Sequence, residues 1–132
     1  MKCVIVIDAE LPLGLIANTC AVLALTLGRE IDGIIGESIA DASDTIHQGI
    51  TQITLPILKA AAADIRQLRN DAQAAHLFVV DFCDAAQTSK TYADYGRKVG
   101  ATSSEKLNYL GLAIYGDKKQ ITRLTGSLPL LR

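Results

Sequence analysis

Tryptophan is absent from the 132 residues and aromatic side chains make up only 5% of them. A core of this composition has to be assembled from Ala, Leu, Ile and Val. Cysteine is scarce as well: Cys3, Cys20 and Cys83 form an odd set with no Cys-x-x-Cys spacing. That argues against a disulfide framework or a zinc site and fits a reducing cytoplasm. Lysine is missing from the whole stretch between Lys2 and Lys59. Long apolar runs are missing too. Lys2 is followed by only five apolar residues before Asp8, which is no secretory signal. Leu15–Leu27 is too short to cross a bilayer and is interrupted by Asn18 and Thr19, so no membrane association is expected. No linker, internal repeat or P-loop spacing occurs; Gly116-Asp117-Lys118-Lys119 lacks the Gly-x-x-x-x-Gly-Lys-[Ser/Thr] pattern.

What is present describes one soluble α/β domain over residues 1–132, with 49% hydrophobic and 20% charged residues. Met1–Asp8 reads as a strand buried on both faces, because Cys3-Val4-Ile5-Val6-Ile7 shows no polar alternation. Ala9–Gly14 is a tight loop, and Leu15–Leu27 a helix without charge that Gly28 would cap. Ile31–Ser38 suggests an irregular edge strand, Asp41–Gly49 a polar loop, and Ile50–Leu58 an extended segment bent at Pro56. Ala60–Ala74 is a second helix with Ile65 and Leu68 inward and Asp64, Arg66, Arg69 and Asp71 outward. His76–Phe82 is a second buried, parallel strand; Ser89–Val99 and Ser103–Leu107 are helical; Tyr109–Tyr115 is a strand; Asp117–Leu124 is the last helix. Strands alternating with helices point to a three-layer α/β/α sandwich on a mixed sheet.

In open α/β folds, ligands collect at the carboxyl ends of strands beside helix N-termini. Asp8 and Glu10 end the first strand; Asp84-Ala85-Ala86-Gln87-Thr88-Ser89 follows the second. Asp84 could activate a water, with Thr88 or Ser89 donating to a substrate oxygen. Alternatively, Thr88 or Ser89 caps the next helix and Asp84 complements its dipole. Nothing has the spacing of a metal set, and His47 and His76 have no partner in a triad-like arrangement. A thiol beside a carboxylate is a poor nucleophile, which disfavours Cys83. Charge is uneven. Residues 1–89 hold 5 basic and 11 acidic side chains, residues 90–132 hold 8 and 3, so a net −1 hides a basic final third. Lys118 and Lys119 at the start of the last helix oppose its dipole, a cost that a bound anion would offset; ordinary exposure is the other reading.

Three segments resemble the peptidyl-tRNA hydrolase type II family: Lys2–Gly28, the run Asp84-Ala85-Ala86-Gln87-Thr88, and Leu124-Thr125-Gly126-Ser127-Leu128-Pro129-Leu130. In that family the corresponding features are a strand, Gly-Lys-rich loop and Ala-rich helix, an Asp-Ala-Gly-x-Thr run, and a Val-Thr-Gly-x-Leu-x-Leu tail. Leu11-Pro12-x-Gly14-Leu15-x-Ala17-Asn18, Asp81-Phe82 and Lys118-Lys119 through Leu131-Arg132 resemble domain of unknown function family 2000, regarded as sharing that fold. This second resemblance spans essentially the whole chain, the first about half. They imply a three-layer, peptidyl-tRNA hydrolase II-like fold on about four strands and a homodimer. They place the hydrolase aspartate on Asp84, the threonine on Thr88, and the tail motif on Thr125 and Gly126. The departure is in the first loop: where the hydrolases carry a lysine, this chain reads Leu13-Gly14-Leu15-Ile16. Leucine can supply charge neither to a tRNA backbone nor to a developing oxyanion.

The resulting expectation is a crevice bounded by Asp8, Asn18, Asp84 and Thr88, with Ser89 and Thr125 contributing, that takes a small or anionic ligand without cofactor or metal. Lys118, Lys119 or Arg123 would replace the missing lysine if the last helix faced that crevice. The alternatives are an ester hydrolase acting on peptidyl-tRNA and a dimeric interaction protein without catalysis.

Overall fold

The computed structural model describes all 132 residues. Chain order gives β1 (Lys2–Asp8), α1 (Leu13–Glu30), β2 (Ile39–Ala40), β3 (Ile46–His47), β4 (Ile57–Ala60), α2 (Ala62–Ala74), β5 (Phe78–Cys83), α3 (Asp84–Gln87), α4 (Tyr92–Gly100), β6 (Tyr109–Gly116) and α5 (Lys118–Thr125). Four strands make a mixed sheet in the order β4-β1-β6-β5. β4 runs parallel to β1, and β6 lies antiparallel between β1 and β5.

β1 is buried on both sides because it is central. Cys3, Ile5 and Ile7 meet Ile16, Leu23 and Leu27 of α1 on one face. Val4 and Val6 meet Ile65, Leu68 and Ala72 of α2, with Ile121 of α5, on the other. Helices therefore cover both faces of the sheet. α1 packs tightly over Gly111, where a Cβ would come within 2.7 Å of the Ile7 Cδ1 and 2.9 Å of the Thr19 Cγ2.

Several expectations change. β5 runs in the same direction as β1, as expected, but no parallel strand lies beside it. It sits at the edge, and its only strand partner is the antiparallel β6. An apolar run does not report the direction of its neighbour, and burial is also less than the run suggests, since Phe78 to Asp81 are only half-buried. α1 starts two residues early and runs through Gly28 to Glu30; the cap is Ile31 in an extended conformation, its N–H bonded to the Leu27 carbonyl. Residues 84–100 break into two helices. Thr91, not Thr88 or Ser89, caps the second, its hydroxyl accepting from the Asp94 N–H. Residues 103–107 form a turn rather than a helix. The stretch from Ile34 to Gln52 is neither an edge strand of the sheet nor a plain polar loop. It is a separate β-ribbon, paired through β2 and β3 and closed at its base by the bridge between Ile35 and Thr51.

Candidate functional site

β1 and β4 end beside the start of α2, and β6 begins there. Asp8, the last residue of β1, points to the α2 side and is only 8% exposed. Its Oδ1 accepts from the Glu10 N–H at 3.0 Å, which folds the chain sharply away from the strand; Oδ2 has no protein partner. Asp8 forms one wall of a cavity of about 300 Å³ completed by Ala62, Ala63, Arg66, Asn108, Tyr109 and Leu110. α2 opens onto this cavity. Its N-cap is Ala61, which offers no side-chain acceptor, so the first N–H groups of the helix lack a cap.

The opposite wall is shaped by a bulge. Phe82 pairs with Gly111 and Cys83 with Tyr109, leaving Leu110 as an extra, unpaired residue of β6. Such bulges re-aim side chains at sheet rims. Tyr109 is thereby turned to the α2 side, where its ring lies under two guanidinium groups, with Arg66 at 5.5 Å and Arg69 at 4.7 Å from the centroid. Burial pushes the Tyr109 phenol up, and the Asp81 carboxylate pushes the same way while both arginines oppose. Its hydroxyl donates to the Ser104 carbonyl. Arg66 donates to the carbonyls of Ser104 and Leu107, tying the turn before β6 to α2. Arg69 pairs with Asp81 at 2.6 Å, both side chains being mostly buried. Arg66 and Arg69 therefore do not form the solvated outer face of α2.

Asp84 stands at the edge of the same rim. Its Oδ2 accepts from Asn108 Nδ2 at 2.9 Å, and its N–H donates to the Asn108 carbonyl, so Asn108 links Asp84 to the cavity. Thr88 is turned the other way, its hydroxyl donating to the Asp84 carbonyl and accepting from Lys98 Nζ at 3.1 Å. Ser89 donates to the Ala85 carbonyl.

The structure brings Asp8 and Asp84 to one rim and leaves the other expected residues elsewhere. Asn18 is exposed on α1, across the sheet from the cavity. Thr125 is buried, its hydroxyl bonded to the Ile121 carbonyl within α5. Lys118 and Lys119, at the start of α5, lie toward the far end of the sheet. β6 runs antiparallel to β1, so Gly116 pairs with Lys2, seven residues' travel (about 20 Å) from the Cys83–Tyr109 end. At that range exposed charges are largely screened. Lys2 Nζ donates to Thr122 Oγ1, while Leu124 at the other end of α5 lies beside Ala60 and Asp64. Asp117 caps α5, its side chain accepting from the Gln120 N–H, and so offsets the two lysines locally. The cation that does reach the Asp84–Thr88 run is Lys98 of α4, which also donates to the Thr88 carbonyl at 2.7 Å.

Arg66, Asn108 and Tyr109 are the site residues that sequence reasoning missed. The one available signal was Tyr109, a ring opening a strand in a chain with few rings. No three His, Cys, Asp or Glu side chains converge in a metal-binding arrangement. His47 is bonded to Asp41 at the tip of the ribbon, and His76 takes a left-handed conformation in the turn after α2.

With this geometry in view, residues 1–132 match the family described as "Protein of unknown function (DUF2000)". The chain belongs to that family. No curated protein matches it. Among solved structures, it is similar to a protein of unknown function, Atu0240, from Agrobacterium tumefaciens strain C58, with a TM-score of 0.90 and 15% identity over 98% of this chain and 96% of that one. At this identity the likeness establishes a shared fold and nothing about activity.

Proposed function

We propose that this DUF2000 protein is a binding module with a peptidyl-tRNA hydrolase II-like fold that lacks the hydrolase lysine. Its ligand is a small polar molecule held between Asp8 and the start of α2. The observation that carries this reading is a carboxylate more than nine-tenths buried, with one oxygen unpartnered, facing a cavity that an uncapped helix N-terminus enters from the other side. The unpartnered oxygen, open to the cavity, can accept from a donor on a ligand. Exposed helix N–H groups call for an anion. A ligand with an ammonium or hydroxyl at one end and a carboxylate or phosphate at the other meets both demands. The roughly 300 Å³ available matches a metabolite rather than a polymer.

The test is thermal denaturation with a panel of amino acids, hydroxy acids and phosphorylated small molecules. A ligand at 100 times its dissociation constant adds about 2.7 kcal/mol, which raises the melting temperature by several degrees. The reading predicts that at least one bifunctional member does this and that Asp8→Asn abolishes the response. A panel with no response, or a response that survives Asp8→Asn, contradicts it.

A second reading is supported by the bond from Asn108 to Asp84, which fixes one carboxylate oxygen and leaves the other to orient a water. It predicts ester hydrolysis on a peptidyl-tRNA that disappears in Asp84→Asn. An inert native protein beside an active lysine-bearing hydrolase rejects it.

A further inference from the structure

A second concavity lies away from this crevice. It is a groove of about 450 Å³ along β5, floored by Val80 and Phe82 and walled by Val22 of α1 and by Lys90, Tyr92 and Tyr95. β5 is an edge strand, and no other segment pairs with its outer side. The opposite edge of the sheet is covered by the chain's own tail: Leu130 bridges Leu58, and the Lys59 and Leu131 N–H groups bond to Pro129 and Ile57 carbonyls. One edge is thus closed and the other presents unpaired backbone groups beside an apolar floor, an arrangement that invites an added strand.

The same molecule carries a strand-like element with nothing to pack on. The ribbon from Ile34 to Gln52 is a built structure, with Gly36 and Gln52 N–H groups bonded across it to Ile50 and Ile34 carbonyls, and Asp41 to Thr45. Gly49 lies so near Gly36 that a Cβ there would collide with the Gly36 carbonyl oxygen. None of residues 35–50 is buried, and Ile35, Ile39, Ile46 and Ile50 are 51–79% exposed. The ribbon carries Glu37, Asp41 and Asp44, and no Lys or Arg occurs from residue 31 to residue 58. The groove itself is lined by Lys90 and by Asp81, whose charge Arg69 takes up, and the helix beside it adds Lys98 together with Arg97, which is paired with Asp94.

We propose that the groove and open edge of β5 receive the ribbon of a second copy of this chain, the two copies exchanging arms about a two-fold axis. The isoleucines cover Val80, Phe82 and Tyr92, the ribbon's carboxylates meet the cations of the 90–98 segment, and its outer backbone pairs with β5 as an added strand. The size is right for a stable dimer. The sixteen positions 35–50, with the groove and the open face of α1 that carries Ala21 and Leu25, come to the roughly 20–30 residues per side of a standard interface.

Sedimentation of three proteins tests this: the native chain, an armless variant in which an Asn-Gly turn joins Ile35 to Ile50, and a groove variant carrying Lys90→Glu and Tyr92→Ala. Both changes fall outside the core, since Tyr92 is 85% exposed and the ribbon is wholly outside it. The native chain is expected to be dimeric at tens of micromolar and each variant monomeric. A mixture of the two variants should then regain association through the one intact arm–groove contact, more weakly than the native pair. A monomeric native chain, an armless variant that still dimerises, a groove variant that still dimerises, or a mixture that stays monomeric each overturns the proposal.

Discussion

On the α1 side of the sheet, an eighteen-residue helix without a charged side chain before Arg29 rests on Cys3, Ile5, Ile7 and Ala113. On the α2 side, sheet and helix meet in a polar layer at one end: Asp8, Asp81 and Tyr109 from the strands, Arg66 and Arg69 from α2. The first side is held by shape, and Gly111 lets α1 come so near that no methyl group fits between. The second side combines an aliphatic layer with paired charges, and leaves one carboxylate, Asp8, partly unpaired. A close-packed apolar contact has nothing to offer a polar ligand. The proposed ligand site accordingly lies at the end of the α2 face, and the proposed contact between copies on the α1 side with the edge of β5.

Cutting into each face in turn tests this division. The largest effect is expected from Leu23→Ala on the α1 side. Leu23 is fully buried, and the lost side chain and resulting cavity should cost about 3 kcal/mol in urea denaturation. Any effect on ligand response should be absent. Arg69→Ala on the α2 side should cost somewhat less, about 2–3 kcal/mol, because Asp81 loses its charged partner while retaining some access to water. Unlike Leu23→Ala, it should also disturb the crevice, since Tyr109 loses the guanidinium over its ring.

Alkaline pH separates the faces differently. Burial on the α1 side pushes the Cys3 thiol up from 9.0 to about 11. The unfolded thiol then ionises before the folded one, so its contribution to stability is complete below about pH 9 and is lost as pH rises through 11. The slope should amount to about 2–3 kcal/mol across that window, and Cys3→Ala should flatten it. Burial also holds the Tyr109 and Tyr95 phenols above 10.0, so a further decline is expected at still higher pH. The smallest effect sharpens the picture of an apolar contact. Thr19 is fully buried with its hydroxyl unpartnered, so Thr19→Val should raise stability by about 1 kcal/mol.

How much of this was legible in the sequence follows from what periodicity encodes. β1, α2, β6 and α5 are continuous patterns, and their positions were readable within one or two residues. Asp8 and Asp84 were also readable as rim residues, because strand ends can be located even where strand neighbours cannot. The direction of β5's partner was not readable, nor was the ribbon, whose two-residue strands are too short to show a period. Arg66 and Arg69 looked like a solvated helix face because three-residue spacing shows which face they share but not what it meets. Their partner Tyr109 comes 40 or more residues later in the chain, and Asp81, the partner of Arg69, comes 12 later. The placement of Lys118 and Lys119 depends on the direction of β6, which no local pattern encodes.

A backbone-amide NMR titration of the native chain with glycine and with inorganic phosphate tests the central claim most directly. The largest shifts are expected at Ala62, Ala63 and the Asp8–Ala9 turn, while the exposed face of α1 and the start of α5 stay still. Shifts concentrated at Lys118 and Lys119, with Ala62 and Ala63 unmoved, would contradict it.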